Sequence, residues 1–367
     1  MGKYAYVTAQ DDNSLTIIDI SNPIIPSFKS SISGVGAPNW LGTANGLAVK
    51  GNYAYVAAWG DSALTIIDIS NPTNPTFIGS IQGAGPPNYL GSAIDVFVRD
   101  KYAYVAAIND DAIVIIDIST PTSLKLVGYI RGMGEPNYVG GPSAVVVKGD
   151  YAYVSASSDN SLTILKISNP KVPIYISRIS GAGPPNYLGE PFYVTIKGNY
   201  AYVVSSAAGD NALTIIDISN PSSPTFVGSI QGAGSPNWLN NPWHVFVRSN
   251  YAYVAVCNDD SLTIIDISNP EVPTFAASIR GAGSPNWLNG PASVTIEGKY
   301  AYVAAEADNS LTIIDISNPN SPTFVSSIRG VGAPNYLGGI WGIAFKKAYL
   351  GNIHIDQLIY QHAGRMR

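Results

Sequence analysis

Seven times along the 367 residues, an asparagine stands before a tyrosine or a tryptophan in a Pro-Asn-aromatic stretch. The pairs are Asn39-Trp40, Asn88-Tyr89, Asn137-Tyr138, Asn186-Tyr187, Asn237-Trp238, Asn286-Trp287 and Asn335-Tyr336. This combination suits a sugar: a ring stacks on apolar C–H faces while an amide and a nearby carboxylate bind hydroxyls. Only Tyr and Trp occupy the aromatic position, and each carries a polar tip that needs a partner. The same residues have a structural use, with the ring as a wedge between repeated units and the amide fixing the loop backbone. Both readings stand at this level.

Two sets of carboxylates recur beside them. Asp12, Asp61, Asp110, Asp159, Asp210, Asp259 and Asp308 fall in polar turns, some doubled as in Asp110-Asp111 and Asp259-Asp260. A turn aspartate that bonds its own backbone two residues on accounts for them. Calcium is the alternative, although the calcium-loop pattern with its Gly and terminal Glu is missing. Asp19, Asp68, Asp117, Asp217, Asp266 and Asp315 lie in an apolar LTIIDI stretch whose fourth copy carries Lys166 instead. A ring of functional acids would not readily admit a cation, so these are expected to accept hydrogen bonds from neighbouring backbone or hydroxyl groups.

A third group is marked by divergence. Ahead of one short strand the repeats read Asn45-Gly46, Ile94-Asp95, Ser143-Ala144, Phe192-Tyr193, Trp243-His244, Ala292-Ser293 and Trp341-Gly342. In the polar turn they vary among Gln10, Trp59, Ile108, Ser157, Cys257 and Glu306. This is drift at solvent positions, or it marks one asymmetric pocket with Phe192, Tyr193, Trp243, His244 and Trp341 as its aromatic side. Catalysis has little material. Of three histidines only His244 lies within the repeats, too few for a three-ligand zinc site. No Gly-x-Ser-x-Gly elbow and no phosphate-cradling Gly loop with its Lys occurs. Neither a metal nor a cofactor is expected.

The elements that must carry these groups are written out seven times. Tyr-Ala-Tyr-Val begins at Tyr4, Tyr53, Tyr102, Tyr151, Tyr200, Tyr251 and Tyr300, at spacings of 49, 49, 49, 49, 51 and 49. The two extra residues fall between Ala207 and Asn211. Each unit has four strand signals: the alternating YAYV, the continuous LTIIDI of a strand covered on both faces, a PTFIGSI type, and a short LAVK or VFVR type. Polar turns, Ser-Asn-Pro turns and the long Pro-Asn-aromatic loop separate them. Helix signals are absent. Four antiparallel strands at this period predict an all-β, seven-bladed β-propeller over residues 1–347, with 348–367 as a degenerate extension. An open solenoid is the alternative, but uniform repeats without capping ends suit a closed ring. The last short strand, 342–346, lacks following strands of its own and is expected to pair with the N-terminal blade strands, so removing exposed edges.

The units YAYVA, LTIIDIS-NP and PTFIGSI resemble those of the LVIVD-repeat propellers, over residues 3 to about 350. That resemblance implies the propeller fold and a surface or secreted protein, and it implies little about ligand. The Pro-Asn-aromatic loop is longer than the family's usual connection, and Lys166 departs from its strand pattern.

Composition narrows the partners. Charged residues are only 12% and hydrophobic ones 46%, against roughly 25% charged in an ordinary domain. Net charge is −5, with no basic block within the repeats, which excludes nucleic acid as an expected partner. The single cysteine, Cys257, allows no internal disulfide, and no apolar run approaches the roughly 20 residues of a membrane span. The first strand signal begins at Lys3, so no signal peptide is expected within the given chain. The expectation is a non-catalytic binding module, a multivalent carbohydrate-binding or adhesion propeller outside the cell or at its surface, with a glycan or a surface protein as partner. A structural or protein-interaction scaffold is the alternative, and an enzyme with one pocket near His244 a third.

Overall fold

The computed structural model describes residues 2–207 and 209–346, with the backbone of two short paired strands, Tyr349–Leu350 and Ile353–His354. Apart from those two strands, the expected C-terminal extension lies outside the described residues.

Seven four-stranded antiparallel sheets form a closed ring of blades. The second blade shows the plan. Ala44–Lys50 is innermost, followed outward by Tyr53–Ala58, Ala63–Asp68 and Thr76–Gln82. The other inner strands are Ala93–Arg99, Pro142–Lys148, Pro191–Lys197, Pro242–Arg248, Pro291–Glu297 and, in the first blade, Ile340–Phe345. Hairpins joining the second and third strands share one face of the disc with the long inter-blade loops; we term this the loop face. Inner hairpins and Ser-Asn-Pro turns occupy the opposite, turn face.

Blades stack face to face, so both sides of the two middle strands are covered. Leu64, Ile66 and Ile67 are fully buried, and so are Ala54 and Val56 of the paired strand. Each such aliphatic side chain contributes roughly 2 kcal/mol by leaving water. The apolar clusters are shared between neighbours: Tyr55, Leu64 and Ile66 of the second blade pack with Ala103, Val105 and Ile116 of the third. Near the rim the fit is set by a single small residue in each outer strand. A Cβ on Gly79 would lie 2.5 Å from the Pro121 carbonyl oxygen of the next blade, and one on Gly128 would lie 2.4 Å from that of Pro170. Where serine stands at this position it donates to the same carbonyl, Ser30 to Pro72 at 2.7 Å and Ser177 to Pro221 at 2.6 Å.

The innermost strands are longer than the four-residue signal in the sequence. A bulge, as between Pro142 and Ala144 or between Pro242 and His244, draws the divergent residue pairs into the strand. Closure follows the expected pairing, with the last strand starting earlier. Ile340–Phe345 lies antiparallel to Tyr4–Ala9, with Ala5 opposite Phe345 and Val7 opposite Ile343. The first and last blades share a core of Ala5, Ile18, Tyr302, Ile313 and Phe345. Among the described residues, no helix is long and apolar enough to cross a membrane.

Deleting residues 340–367 should leave Tyr4–Ala9 as an unpaired edge lined by apolar surface. The expected outcome is oligomers in light scattering and loss of a single cooperative thermal transition. A monodisperse monomer with an unchanged melting midpoint would contradict the clasp.

Candidate functional site

The loop-face residues divide into a rim set and a channel set. On the rim, each inter-blade loop is tied down by the blade it enters. Asp61 accepts from the Gly36 N–H at 3.0 Å and the Gly42 N–H at 2.7 Å. Asp110, Asp159, Asp210, Asp259 and Asp308 do the same for their loops, and Asp12 does it across the seam, for Gly332 and Gly338. The sequence pointed to a local Asx-turn or to calcium. The carboxylates instead bond the backbone of a loop some twenty residues earlier, or across the seam for Asp12, which is not the local Asx-turn; among the described residues no group of three or more His, Cys, Asp or Glu is placed to hold a metal ion. The following hairpin residue holds the other end of the loop that leaves its own blade, as in Asn13 Oδ1 accepting from Thr43 N and Asn160 Oδ1 from Glu190 N, both at 2.8 Å.

The loop asparagines are also engaged. Nδ2 of Asn39, Asn88, Asn137, Asn186, Asn237, Asn286 and Asn335 donates to the carbonyl six residues earlier, at 2.7–2.9 Å. The following aromatics, Trp40, Tyr89, Tyr138, Tyr187, Trp238, Trp287 and Tyr336, all take a left-handed backbone with φ between 47° and 52°. That conformation costs roughly 1–2 kcal/mol in a non-glycine residue. It persists because both backbone ends are held: Trp287 N donates to Gly283 O at 2.7 Å, and its carbonyl accepts from Thr312 Oγ1 at 2.7 Å.

The rings turn outward, half-buried, against the outer strand of the next blade. Arginines cover four of them: Arg131 lies 4.7 Å from the Tyr89 centroid, Arg178 3.6 Å from Tyr138, Arg280 3.5 Å from Trp238 and Arg329 3.4 Å from Trp287. Tyr89 also meets Tyr129 at 4.5 Å, and Tyr138 meets Tyr175 at 5.5 Å. Wedge-like packing and intraloop amide bonds therefore account for much of what the rim motif contains.

The strand aspartates accept hydrogen bonds, as expected, but half-exposed at a strand end rather than buried. Asp19 Oδ1 takes Ser21 N at 2.9 Å and Ser21 Oγ at 2.6 Å, which hold its carboxyl below the usual range.

The channel set converges. Phe192 stacks on Trp243 with centroids 5.7 Å apart and planes at 20°, and Trp341 lies 5.1 Å from Trp243 and 6.3 Å from Phe192. Three blades thus supply one aromatic group at the loop-face end of the channel. Trp243 Nε1 donates to Asn241 Oδ1 at 3.0 Å, fixing the indole. Beside Phe192 and Trp243 opens a cavity of about 380 Å³ lined by Ser157, Ser158, Asn160, Glu190 and Ser206. A second hollow, about 500 Å³, is lined by acidic and amide groups including Asp11, Asp260, Glu306 and Asn309, with Cys257, whose thiol burial pushes up to about 11.

The adjoining bulge residues point chemistry inward. His244 lies 3.9 Å from Tyr193, centroid to centroid, and its Nδ1 is buried without a hydrogen-bond partner. Burial pushes the imidazole down to about 3, and raises the Tyr193 phenol, with the Asp95 charge adding to the rise. Asp95 Oδ2 accepts from Val145 N at 3.0 Å, yet burial still raises the carboxyl to about 6. These three side chains keep some accessible surface but sit deep in the protein mass, and depth governs the cost of charging them. The five residues marked by divergence thus form two adjoining groups, Phe192 with Trp243 and Trp341, and Tyr193 with His244. Sequence reading missed Asp95 as a channel carboxylate; the signal available was a lone acid at a position where other repeats carry Gly, Ala, Tyr, His or Ser.

The LVIVD-repeat family model matches residues 1–33, 41–82, 90–131, 140–180, 189–231, 241–280 and 291–329. No curated protein matches the chain significantly. Among solved structures, a protein of unknown function from Desulfotomaculum acetoxidans is similar at 16% identity and TM-score 0.69, covering 94% of this chain and 99% of its own. A Lactobacillus plantarum protein is similar at 10% identity and TM-score 0.75, covering 94% and 99%. The periplasmic gluconolactonase of Pseudomonas aeruginosa is similar at 11% identity and TM-score 0.70, covering 94% and 99%. Likeness at these identities concerns the fold alone.

Two substitutions test the site's physics. Asp61→Ala leaves two loop N–H groups without their charged acceptor and should cost about 2–4 kcal/mol in urea unfolding, whereas Asp61→Asn, which keeps one acceptor, should cost less. Asp95 has a folded pKa above its ordinary 3.8, so its stabilising contribution is full below about 4 and lost as pH rises through about 6. His244 acts oppositely, losing stability as pH falls from 6.5 toward 3. Asp95→Asn removes only the first effect. It should stabilise the protein at pH 7, by up to about 3 kcal/mol, and lose that advantage by pH 4. Equal shifts at both pH values would show that Asp95 does not titrate in this window.

Proposed function

The chain belongs to the LVIVD-repeat family, and from that premise we propose a non-catalytic binding propeller that takes a carbohydrate at the loop-face mouth of its channel, at a cell surface or outside the cell. The observation that carries this reading is the packing of Phe192, Trp243 and Trp341, from three blades, beside a cavity lined by hydroxyl, amide and carboxylate groups. Aromatic faces take the apolar side of a sugar ring, while Ser157, Ser158, Asn160, Glu190 and Ser206 supply donors and acceptors for its hydroxyls. The rim motif offers weaker support for seven equal sites, since its amides and most of its ring faces already have partners.

A protein-scaffold reading has one observation in its favour. Val35, Met133 and Val331 stand 64%, 59% and 59% exposed on the inter-blade loops, apolar groups that a partner surface would cover.

The test is a glycan array probed with wild type, Trp243→Ala and Trp287→Ala. Wild type should give defined hits, Trp243→Ala should weaken them about tenfold or more, and Trp287→Ala should leave them within about threefold provided near-UV dichroism shows it folded. A blank array at high protein concentration, or hits indifferent to Trp243, would overturn the reading.

A further inference from the structure

The turn face carries a feature that the loop-face reading does not use. Five of the seven inner strands end in a cation, Lys50, Arg99, Lys148, Lys197 and Arg248, a sixth is followed at once by Lys346, and Glu297 ends the remaining one. The chain has only 20 Lys and Arg residues and a net charge of −5, so nearly a third of its cations surround this one opening. Each reaches the inner hairpin of the following blade. Lys50 donates to the Asp100 carbonyl, Arg99 to that of Gly149, Lys148 to that of Gly198, Lys197 to that of Ser249 and Arg248 to that of Gly298. Lys346 donates to Asn52 Oδ1 at 2.7 Å.

These bonds staple neighbouring blades, but they do not neutralise the ring. Among the described residues, only Arg99 of the six has a carboxylate within ion-pair distance, Asp100 at 3.6 Å, whose charge also acts on Lys50. A carbonyl uses one of three donors on an ammonium, or one of five on a guanidinium, and the rest remain for a ligand. Burial holds the Lys50 and Lys197 ammonium groups below their ordinary value, a cost that an approaching anion would relieve. Glu297, the exception, accepts from the Gly2 N–H at 3.0 Å, so its charge is partly occupied at the seam. The cations are held in a ring, each at the axial edge of its blade and tied to the inner hairpin of the next. A monovalent anion could meet only one or two of them; a ligand bearing several charges can meet many at once.

We propose that this basic ring binds a small polyanion carrying several phosphate or sulfate groups, seated over the turn-face end of the channel. The site is independent of the carbohydrate reading, lying on the opposite face and using none of its residues.

Isothermal titration of the full chain with inositol hexakisphosphate, and in a parallel arm with inositol hexasulfate, tests it. Wild type should bind one molecule per chain at low salt, more weakly as salt rises. Lys148→Gln/Arg248→Gln should weaken binding about a hundredfold, roughly tenfold per cation removed. Lys125→Gln, an exposed outer-strand change, should leave it unaltered. Binding of both probes assigns the site to charge array, and binding of the phosphate ester alone to phosphate; either supports the proposal. Absence of binding to both at low salt, or equal affinity in the double variant, overturns it. Should the double variant fail to fold, Lys148→Gln alone carries the comparison.

Discussion

One carboxylate per blade, set at the tip of the hairpin between second and third strands, accepts the backbone N–H groups of the loop that enters the blade. These loops cross from the rim of one blade to the axis of the next, and every other spatial relation on that face follows from where they are pinned. Their donors would otherwise be half-buried and unpaired, at a cost of 1–3 kcal/mol each by typical magnitudes, about the scale of the bond itself. The latch tolerates change around it. In the fifth blade the hairpin is two residues longer, yet Asp210 still reaches Gly183 and Gly189, across 27 and 21 residues in place of 25 and 19.

With the loops pinned, the aromatic backbone geometry and the asparagine bonds are consequences. A left-handed tyrosine or tryptophan is unfavourable alone, but its amide and carbonyl are fixed from both sides. The ring then has one place to go, against the next blade's outer strand, where arginine lies over four of the seven. The regular motif is thereby largely architecture, and the irregular residues at the axis are where the molecule differs from itself.

The propeller was legible in the sequence because its period, strand alternation and proline-marked turns are local signals. The closing strand was legible because its phase left it without partners. The hairpin aspartates were not, since an Asp in a polar turn looks the same whether it bonds two residues ahead or twenty-five behind. The rim asparagines were ambiguous for a related reason: their partner is a carbonyl, and a carbonyl has no residue identity. At the axis, divergence marked Phe192, Trp243 and Trp341, but their meeting depends on bulges that rotate the strand start. The cations that close the inner strands were visible as letters, and their circular arrangement was visible only in space.

The seam between the first and seventh blades repeats the interactions found at every other junction. Asp12 latches Gly332 and Gly338, Asn309 holds Gly339 and Ser326 meets the Pro23 carbonyl, as their counterparts do elsewhere. The position of the chain's break is therefore arbitrary in energetic terms. Gly2 lies beside the Lys346 carbonyl, so joining these two positions and cutting an inner hairpin between Lys50 and Tyr53, or an equivalent turn, gives a circular permutant with the same ring of contacts. The order in which blades leave the ribosome could thus be rewritten while the finished disc stays the same.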